Sequence, residues 1–334
     1  MIDISKIKYR FALVMSDGKN LDITDTVQSL NWEEGKGELA TRITISLYNT
    51  LYSGKAISTW AKPGSLIGVL ADWGTGFEEV ARGTIVDWEP NLQNSKNLLE
   101  VTCYDDLYNL QKSQDNIYYS AGIDTRSAIT QICSAWNVPL ETYNGPKETH
   151  AKLVYKSKTI SDIILDILED AVSKGAKKCL MRNVKGAFSI IPKGSNKSVY
   201  HFGEDNSIVS NYKLSTGNLV TRVKVIGQED DEGRTSVEAV LDGKTEYGIR
   251  QKIITKGKDD SLDEVKKSAR ELLKEEGDIK KTMKLESPDI PFIRKGDLIH
   301  VTLGNMKGYY FIEGIRHNVA NAIMSMELEL TDKE

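Results

Sequence analysis

The sequence predicts an α+β protein, mainly β, in which two antiparallel β-barrel-like domains flank a mixed α/β middle section. Three observations carry this expectation. Apolar and polar residues alternate through most of the first 110 residues, the period-2 mark of half-buried strands. Between about 111 and 198 the pattern changes to the 3.6-residue period of amphipathic helices. From Tyr200 strands return, interrupted by one helix. The expected domains are therefore residues 1–110, 111–198 and 199–334, the last with a helix inserted over 261–276.

In the first domain, "KYRFALVM" sets Tyr9, Phe11, Leu13 and Met15 against Lys8, Arg10 and Ala12. "TRITISLYN" alternates Ile43, Ile45 and Leu47 with Arg42, Thr44 and Ser46, and "SLIGVLADW", "EEVARGTIVDW" and "KNLLEVTCYD" continue the series. Turn signals separate them: "SDGKN", "KPG", "WGTG" and "PNLQNSKN". In the middle section, "DTRSAITQICSAWNVP" places Ala128, Ile129, Ile132, Cys133 and Trp136 on one helical face behind Asp124 as N-cap. "TISDIILDILEDAVSKG" does the same with Ile163, Ile164, Ile167, Leu168 and Ala171. Thr159 and Asp162 stand at capping-box spacing there, with Gly175 as the stop. "KKCLMRNVKGAFSIIPKG" reads as a hairpin turning at Lys185-Gly186. The last domain opens with "NSIVSNYKLS", "NLVTRVKVIG", "RTSVEAVLDG" and "EYGIRQKIIT". The helix "SLDEVKKSARELLKEEG" follows, with Ser261 and Glu264 as its capping box, and the final strands come after Gly277. The letters show no strict internal repeat.

Bulk properties exclude several classes. At 334 residues and net charge −4, the chain lacks the basic balance of a nucleic-acid binder, and no sequence-specific nucleic-acid binding is expected. No apolar run approaches the ~20 residues that span a bilayer. Charges at Asp3, Lys6, Lys8 and Arg10 break the apolar core a signal peptide needs, so the start reads as a first strand and no membrane partner is expected. Cys103, Cys133 and Cys179 are widely spaced with no CxxC pair, which suits buried thiols in a reducing cytoplasm.

The residues that would carry chemistry are few. "RKGDLIHVTLGNMKGYYFIEGIRHNVANAIMSMELEL" holds His300 and His317 near Asp297, Glu313 and Glu327. Alternation puts His300 on a face with Leu298 and Thr302, and places Tyr309, Phe311, Glu313, Ile315 and His317 together on another. No third ligand is indicated, so no metal is expected. Gly243-Lys244-Thr245 is half a phosphate-binding loop, with Glu238 where the first glycine belongs. Gly35, Gly37 and Ala40 fit a loose dinucleotide fingerprint but precede a strand instead of opening a helix. The run Glu229-Asp230-Asp231-Glu232-Gly233 lacks calcium-loop spacing, since Arg234 falls on a ligand position, and reads as a solvated hairpin tip. No nucleophile motif is present. No catalytic residue and no cofactor are expected, and the chain reads as a non-enzyme.

The order of segments is informative. "CYDDLYNLQKSQDNIYYSAG", then "TRVKVIGQ", "EYGIRQKI", the capped helix and "RKGDLIHV…GYYFIEGIRHNV…MSMELEL" resemble the XkdQ-type proteins of PBSX-like defective prophages. These look like relatives of the hub proteins of contractile phage tails and phage-tail-like bacteriocins. The resemblance implies a structural hub of the tail baseplate, made in the bacterial cytoplasm, with two related barrel domains per chain. It implies a homotrimer that adapts a six-fold tail tube to a three-fold spike, with tail tube, spike and baseplate wedge proteins as partners. On this reading Gly83, Asp105, Gly296, Asp297 and His317 shape the β-structure and do no chemistry. Two other classes remain: a carbohydrate- or receptor-binding module using Trp32, Trp60, Trp73 and Trp88, and a cell-wall hydrolase assembled around His150 or His201.

Overall fold

The computed structural model describes residues 6–15, 18–52, 54–93, 96–229, 232–257, 260–320 and 323–333. Strands account for 51% of residues and helices for 18%, so the protein is mainly β. Its two compact units are residues 1–210 with 284–334, and residues 211–283. Asp230 and Asp231 of the acidic run lie outside the described residues.

The period-2 segments fold as their patterns require. Lys8–Val14 buries Tyr9, Phe11 and Leu13, and Thr41–Tyr48 buries Ile43, Ile45 and Leu47 in the same core as Trp32, Ile67, Val69 and Val101. The capped helices form where their caps stand. Asp124 accepts from Ser127 N at the head of Thr125–Ala135, and Thr159 accepts from Asp162 N at the head of Ile160–Ser173. These helices bury Ile129, Ile132, Ile163, Ile164 and Ile167 over a second core that includes Phe188 and Ile190. Lys185 and Gly186 both take positive φ (54° and 83°), the geometry of a tight hairpin turn.

In residues 211–283, the strand Arg222–Glu229 pairs antiparallel with Thr235–Asp242 and parallel with Gln251–Thr255. Val223 and Val225 pack with Val265 and Ala269 of the helix Leu262–Glu276, whose capping box between Ser261 and Glu264 is complete.

The expected pair of barrels is not what the strands build. No closed barrel forms among the described residues. Met306–Ala320 pairs antiparallel with Val27–Glu34, so the early and late strands merge into one 13-stranded sheet. Within it a four-strand order occurs twice. Val27–Glu34, Thr41–Tyr48, Lys96–Tyr104 and Glu78–Gln93 lie side by side in that order. Val209–Ser215, Lys280–Pro288, Ile323–Asp332 and Met306–Ala320 do the same.

The correspondence extends to single residues. Each quartet ends in a long hairpin, closed by the pair Gln93 and Lys96 in one and Ala320 and Ile323 in the other. Each hairpin has one register shift, between Ile85 and Asp87 and between Ile312 and Gly314. The turn before each hairpin repeats its backbone bonds. Gly64 N–H donates to Ile85 O at 3.0 Å, Ile85 N–H to Ser65 O at 2.8 Å and Ser65 N–H to Lys62 O at 2.9 Å. In the second turn Gly296 donates to Ile312 at 2.7 Å, Ile312 to Asp297 at 3.0 Å and Asp297 to Arg294 at 3.1 Å. Gly64 and Gly296 sit at φ 91° and 84°, a left-handed conformation that glycine enters without Cβ strain. In the second quartet, residues between Ser215 and Lys280 occupy the connection that only Gly35–Ala40 makes in the first.

The bulge corrects one sequence expectation. Tyr309, Phe311 and Glu313 do share a face, but the extra residue at Glu313 flips the alternation. Ile315 and His317 therefore point into the core with Tyr310 and Ile312.

Candidate functional site

The two histidines of the late strands end on opposite faces. His300 stands in a half-exposed row, opposite His201 on a parallel strand and Tyr309 on an antiparallel one. The His201 and His300 ring centroids are 5.3 Å apart, and His201 Nε2 lies 2.7 Å from Thr302 Oγ1. Among the described residues no three His, Cys, Asp or Glu side chains converge on a metal-sized site.

His317 is fully buried. Its Nδ1 is 2.6 Å from Asp289 Oδ1, and the Tyr9 hydroxyl donates to Asp289 Oδ2. The imidazole stacks on Trp32 with centroids 3.8 Å apart. Burial, then the Asp289 carboxylate, pushes the Tyr9 phenol well above its usual range. The trio ties the first strand, the loop after Pro288 and the late hairpin together beneath the sheet.

A second buried network involves two of the residues singled out by sequence, Gly296 and Asp297. Arg294 clamps Glu34 with Nε at 2.8 Å and Nη2 at 2.7 Å, and Lys295 N–H adds a third bond to the same carboxylate. Burial alone would raise the Glu34 pKa, but Arg294 and these donors outweigh it and hold the group at about 2. Asp297 accepts from Arg182 Nη2 at 2.8 Å and from Arg294 N at 3.0 Å. A Cβ at Gly296 would lie 2.1 Å from Leu180 Cδ2, so the turn carrying this aspartate admits no larger residue without displacing Leu180.

Asp105, just after the strand Lys96–Tyr104, accepts from Thr41 N at 3.0 Å and Leu107 N at 3.1 Å, joining the start of the strand Thr41–Tyr48 to the start of the helix Leu107–Lys112. Gly83 is where the strand Lys96–Tyr104 comes closest. A Cβ there would stand 3.0 Å from Cys103 Cβ and from the Tyr104 backbone. Sequence reasoning missed Glu34, Arg294, Asp289 and Tyr9, because the pairs Glu34–Arg294 and Tyr9–Asp289 join residues 260 and 280 positions apart and neither end carries a motif.

Burial pushes the Asp105 carboxyl up to about 6 despite its amide donors. A folded pKa above the ordinary value makes the protonated form the stabilised one. That contribution is complete below about pH 3.8 and is lost as the pH rises through 6. Asp105→Asn is expected to flatten the fall in stability between about pH 4 and 6, read from urea midpoints. An unchanged slope would show that Asp105 is ionised in the fold at all these values.

His150 does sit in an acid–base arrangement. Thr125 Oγ1 is 2.8 Å from His150 Nε2, and His150 Nδ1 is 2.5 Å from Asp170 Oδ2. The order is that of a hydroxyl nucleophile, a base and an orienting acid. Both Thr125 and His150 are buried, however, and Thr125 Oγ1 is within 3.0 Å of the Glu148 carbonyl. The capping Asp124 carboxylate occupies the helix end that would otherwise face an oxyanion. These contacts pin the loop before Leu153 to two helices. An open cleft of about 710 Å³ in residues 211–283, lined by Lys252, Glu276 and Asp278, offers no such trio, and Lys252 is already paired with Glu276.

The four early tryptophans do not gather on a surface. Trp32 is in the core, Trp60 and Trp73 are half-buried, and Trp73 packs on Phe292. Trp88 alone among them is open, at 37%. It belongs to a different kind of surface. Leu66–Asp72 pairs with Glu78–Gln93 only as far as Thr84, so residues 87–93 keep one edge without a strand beside it among the described residues. Val209–Ser215, at one end of the sheet order, has another such edge. No described helix is long and apolar enough to cross a membrane.

Comparison with known proteins agrees with this architecture. Uncharacterized protein YqbQ of Bacillus subtilis (strain 168) is 21% identical over 261 residues, covering 77% of this chain and 78% of that one. The 43 kDa tail protein of prophage MuSo2 from Shewanella oneidensis shares the fold with a TM-score of 0.67 at 13% identity, over 96% and 98% of the two chains. The tail protein from Neisseria meningitidis MC58 shares it with a TM-score of 0.65 at 14% identity, over 97% of each. The fold is thus one found in phage tail proteins. The YQBQ-like profile matches residues 30–331, from the strand that opens the first quartet to the strand that closes the second, and the chain belongs to that family.

Proposed function

We propose that this protein is a structural component of a phage tail or phage-tail-like particle: a trimeric, non-enzymatic baseplate hub that adapts the six-fold tail tube to a three-fold spike. The repeated quartet carries this reading. A chain with two copies of one four-strand unit presents six such units when three chains assemble, and six match a six-fold tube at one end. The whole chain keeps three-fold symmetry for a spike at the other. Membership of the YQBQ-like family and the fold shared with tail proteins support the same assignment. The partners on this reading are tail tube, spike and baseplate wedge proteins, joined in the bacterial cytoplasm before the particle is released.

No catalytic step is assigned. Thr125 and His150 of the acid–base trio are buried, and Glu34 is engaged by fixed donors, which supports a non-enzymatic role. The carbohydrate-binding alternative draws nothing from the tryptophans, which form no shared groove. Quantitative mass spectrometry of purified particles is expected to give three copies of this chain for every six subunits in one tube ring. Six copies per ring would put the protein in the tube itself and end the hub reading.

A further inference from the structure

We propose that His201 and His300 form a two-imidazole site for a borderline divalent transition-metal ion such as Zn²⁺, with the Asp205 carboxylate beside it. The site lies within one chain and does not rest on the hub reading.

The backbone brings the two rings together. Tyr200–Phe202 and Leu298–Leu303 run parallel with His201 directly opposite His300, so both side chains leave the same face of neighbouring strands. Two imidazoles on one tetrahedral ion, with metal–nitrogen bonds of about 2.0–2.1 Å, have ring centroids about 5 Å apart. Here the centroids are 5.3 Å apart and the planes 32° from parallel. Rings that only stack come closer, as Trp32 and His317 do at 3.8 Å.

The ring nitrogens are available. His201 Nε2 lies 2.7 Å from Thr302 Oγ1. When Nε2–H donates to that hydroxyl, the lone pair sits on Nδ1. A ligating histidine is normally held in this way, with its second nitrogen given to an oxygen partner. Neither nitrogen of His300 has a hydrogen-bond partner among the described residues, and the Tyr309 ring packs 4.8 Å away on its other side. Imidazole donors suit Zn²⁺, Ni²⁺ and Cu²⁺, whereas Mg²⁺ and Ca²⁺ take oxygen ligands.

Asp205 adds the counter-charge. Gly203 N–H donates to Asn206 Oδ1 and Asn206 Nδ2 donates to His201 O, both at 2.8 Å, which folds residues 203–206 back onto the strand. A Cβ at Gly203 would lie 3.2 Å from His201 Cε1 and from Asp205 Oδ1, and 3.5 Å from Thr302 Oγ1. These three side chains therefore surround a space that glycine leaves empty. The Asp205 carboxylate has no hydrogen-bond partner among the described residues. It does not converge with the histidines as a third direct ligand, so it acts on the ion through a coordinated water. The want of a third protein ligand excludes a closed site, but not a two-ligand one whose other positions are water. A bound ion would clip the short strand Tyr200–Phe202 to Leu298–Leu303.

The four histidines make the test clean. His150 and His317 are buried, at 2% and 0%, so this pair holds the imidazoles that solvent reaches. ZnCl₂ is titrated calorimetrically into the full chain carrying Cys179→Ser, which removes the one thiol that is not buried. One ion per chain is expected, with affinity falling roughly tenfold or more in His201→Ala and in His300→Ala. MgCl₂ is expected not to compete. Urea midpoints without metal check that both variants fold, and the rise that Zn²⁺ gives the parent should be absent from each. Equal affinity in the parent and both variants overturns the site, as does no binding by the parent at millimolar zinc. Competition by Mg²⁺ would put the ion on carboxylates and overturn it equally.

Discussion

Glu34→Ala is expected to destabilise the fold by roughly 3–5 kcal/mol, because it leaves the Arg294 guanidinium buried without its counter-charge. Arg294 would keep only long contacts to the carbonyls of Val80 and Asn183, both at 3.3 Å. Lys295 N–H would also lose its acceptor. The urea midpoint is the readout, with Glu33→Ala as comparison, since the Glu33 partners Arg42 and Arg316 are both part-exposed and can turn to water. Equal losses in the two variants would mean that burial of the Arg294 pair contributes nothing special.

The same carboxylate sets an acid limit. Its folded pKa lies at about 2, below the ordinary 4.5, so its contribution is present above pH 4.5 and is lost as the pH falls toward 2. Glu34→Gln should show a shallower decline over that interval.

Asp289→Ala is expected to cost about 2–4 kcal/mol. It strips the acceptor from two buried donors at once, the Tyr9 hydroxyl and His317 Nδ1. His317 Nε2 has no partner among the described residues, so the ring would be left without a hydrogen bond inside the core. Because the imidazole stacks on Trp32, the change should also be visible in tryptophan fluorescence before unfolding. A variant with unchanged midpoint and emission would show that water replaces the carboxylate at no loss.

Local order was largely legible in the letters. Asp124, Thr159 and Ser261 each cap the helix whose start they mark, and Tyr9, Phe11, Leu13, Ile43, Ile45 and Leu47 face the core as their alternation requires. A capping bond spans three residues and a pleat spans two, so such information is written next to where it acts. The bulge at Glu313 marks the limit of that approach. One extra residue in a strand changes no local preference, yet it took His317 off the face it was expected to share with Tyr309, Phe311 and Glu313 and turned it into the core beside Trp32.

The repeat shows the limit in another form. "KPGSLIGV" and "RKGDLIHV" open equivalent hairpins, and Gly64 with Gly296, Leu66 with Leu298, Ile67 with Ile299 and Val69 with Val301 are the matching letters. Too few positions coincide to be noticed without the bonds that align them. Backbone hydrogen bonds define a strand unit while leaving most side chains free to change, so two units can stay alike in register after their sequences have diverged.

The strands, helices, turns and caps of this protein follow from short-range pattern, and with them its mainly β character. The merging of the early and late strands into one sheet, the burial of Asp289 with Tyr9 and His317, and the open edges at residues 87–93 and Val209–Ser215 are tertiary outcomes. Each depends on which distant strand lies alongside, and pairing between segments hundreds of residues apart is decided by the summed fit of whole faces and edges. No single stretch of the chain contains that sum.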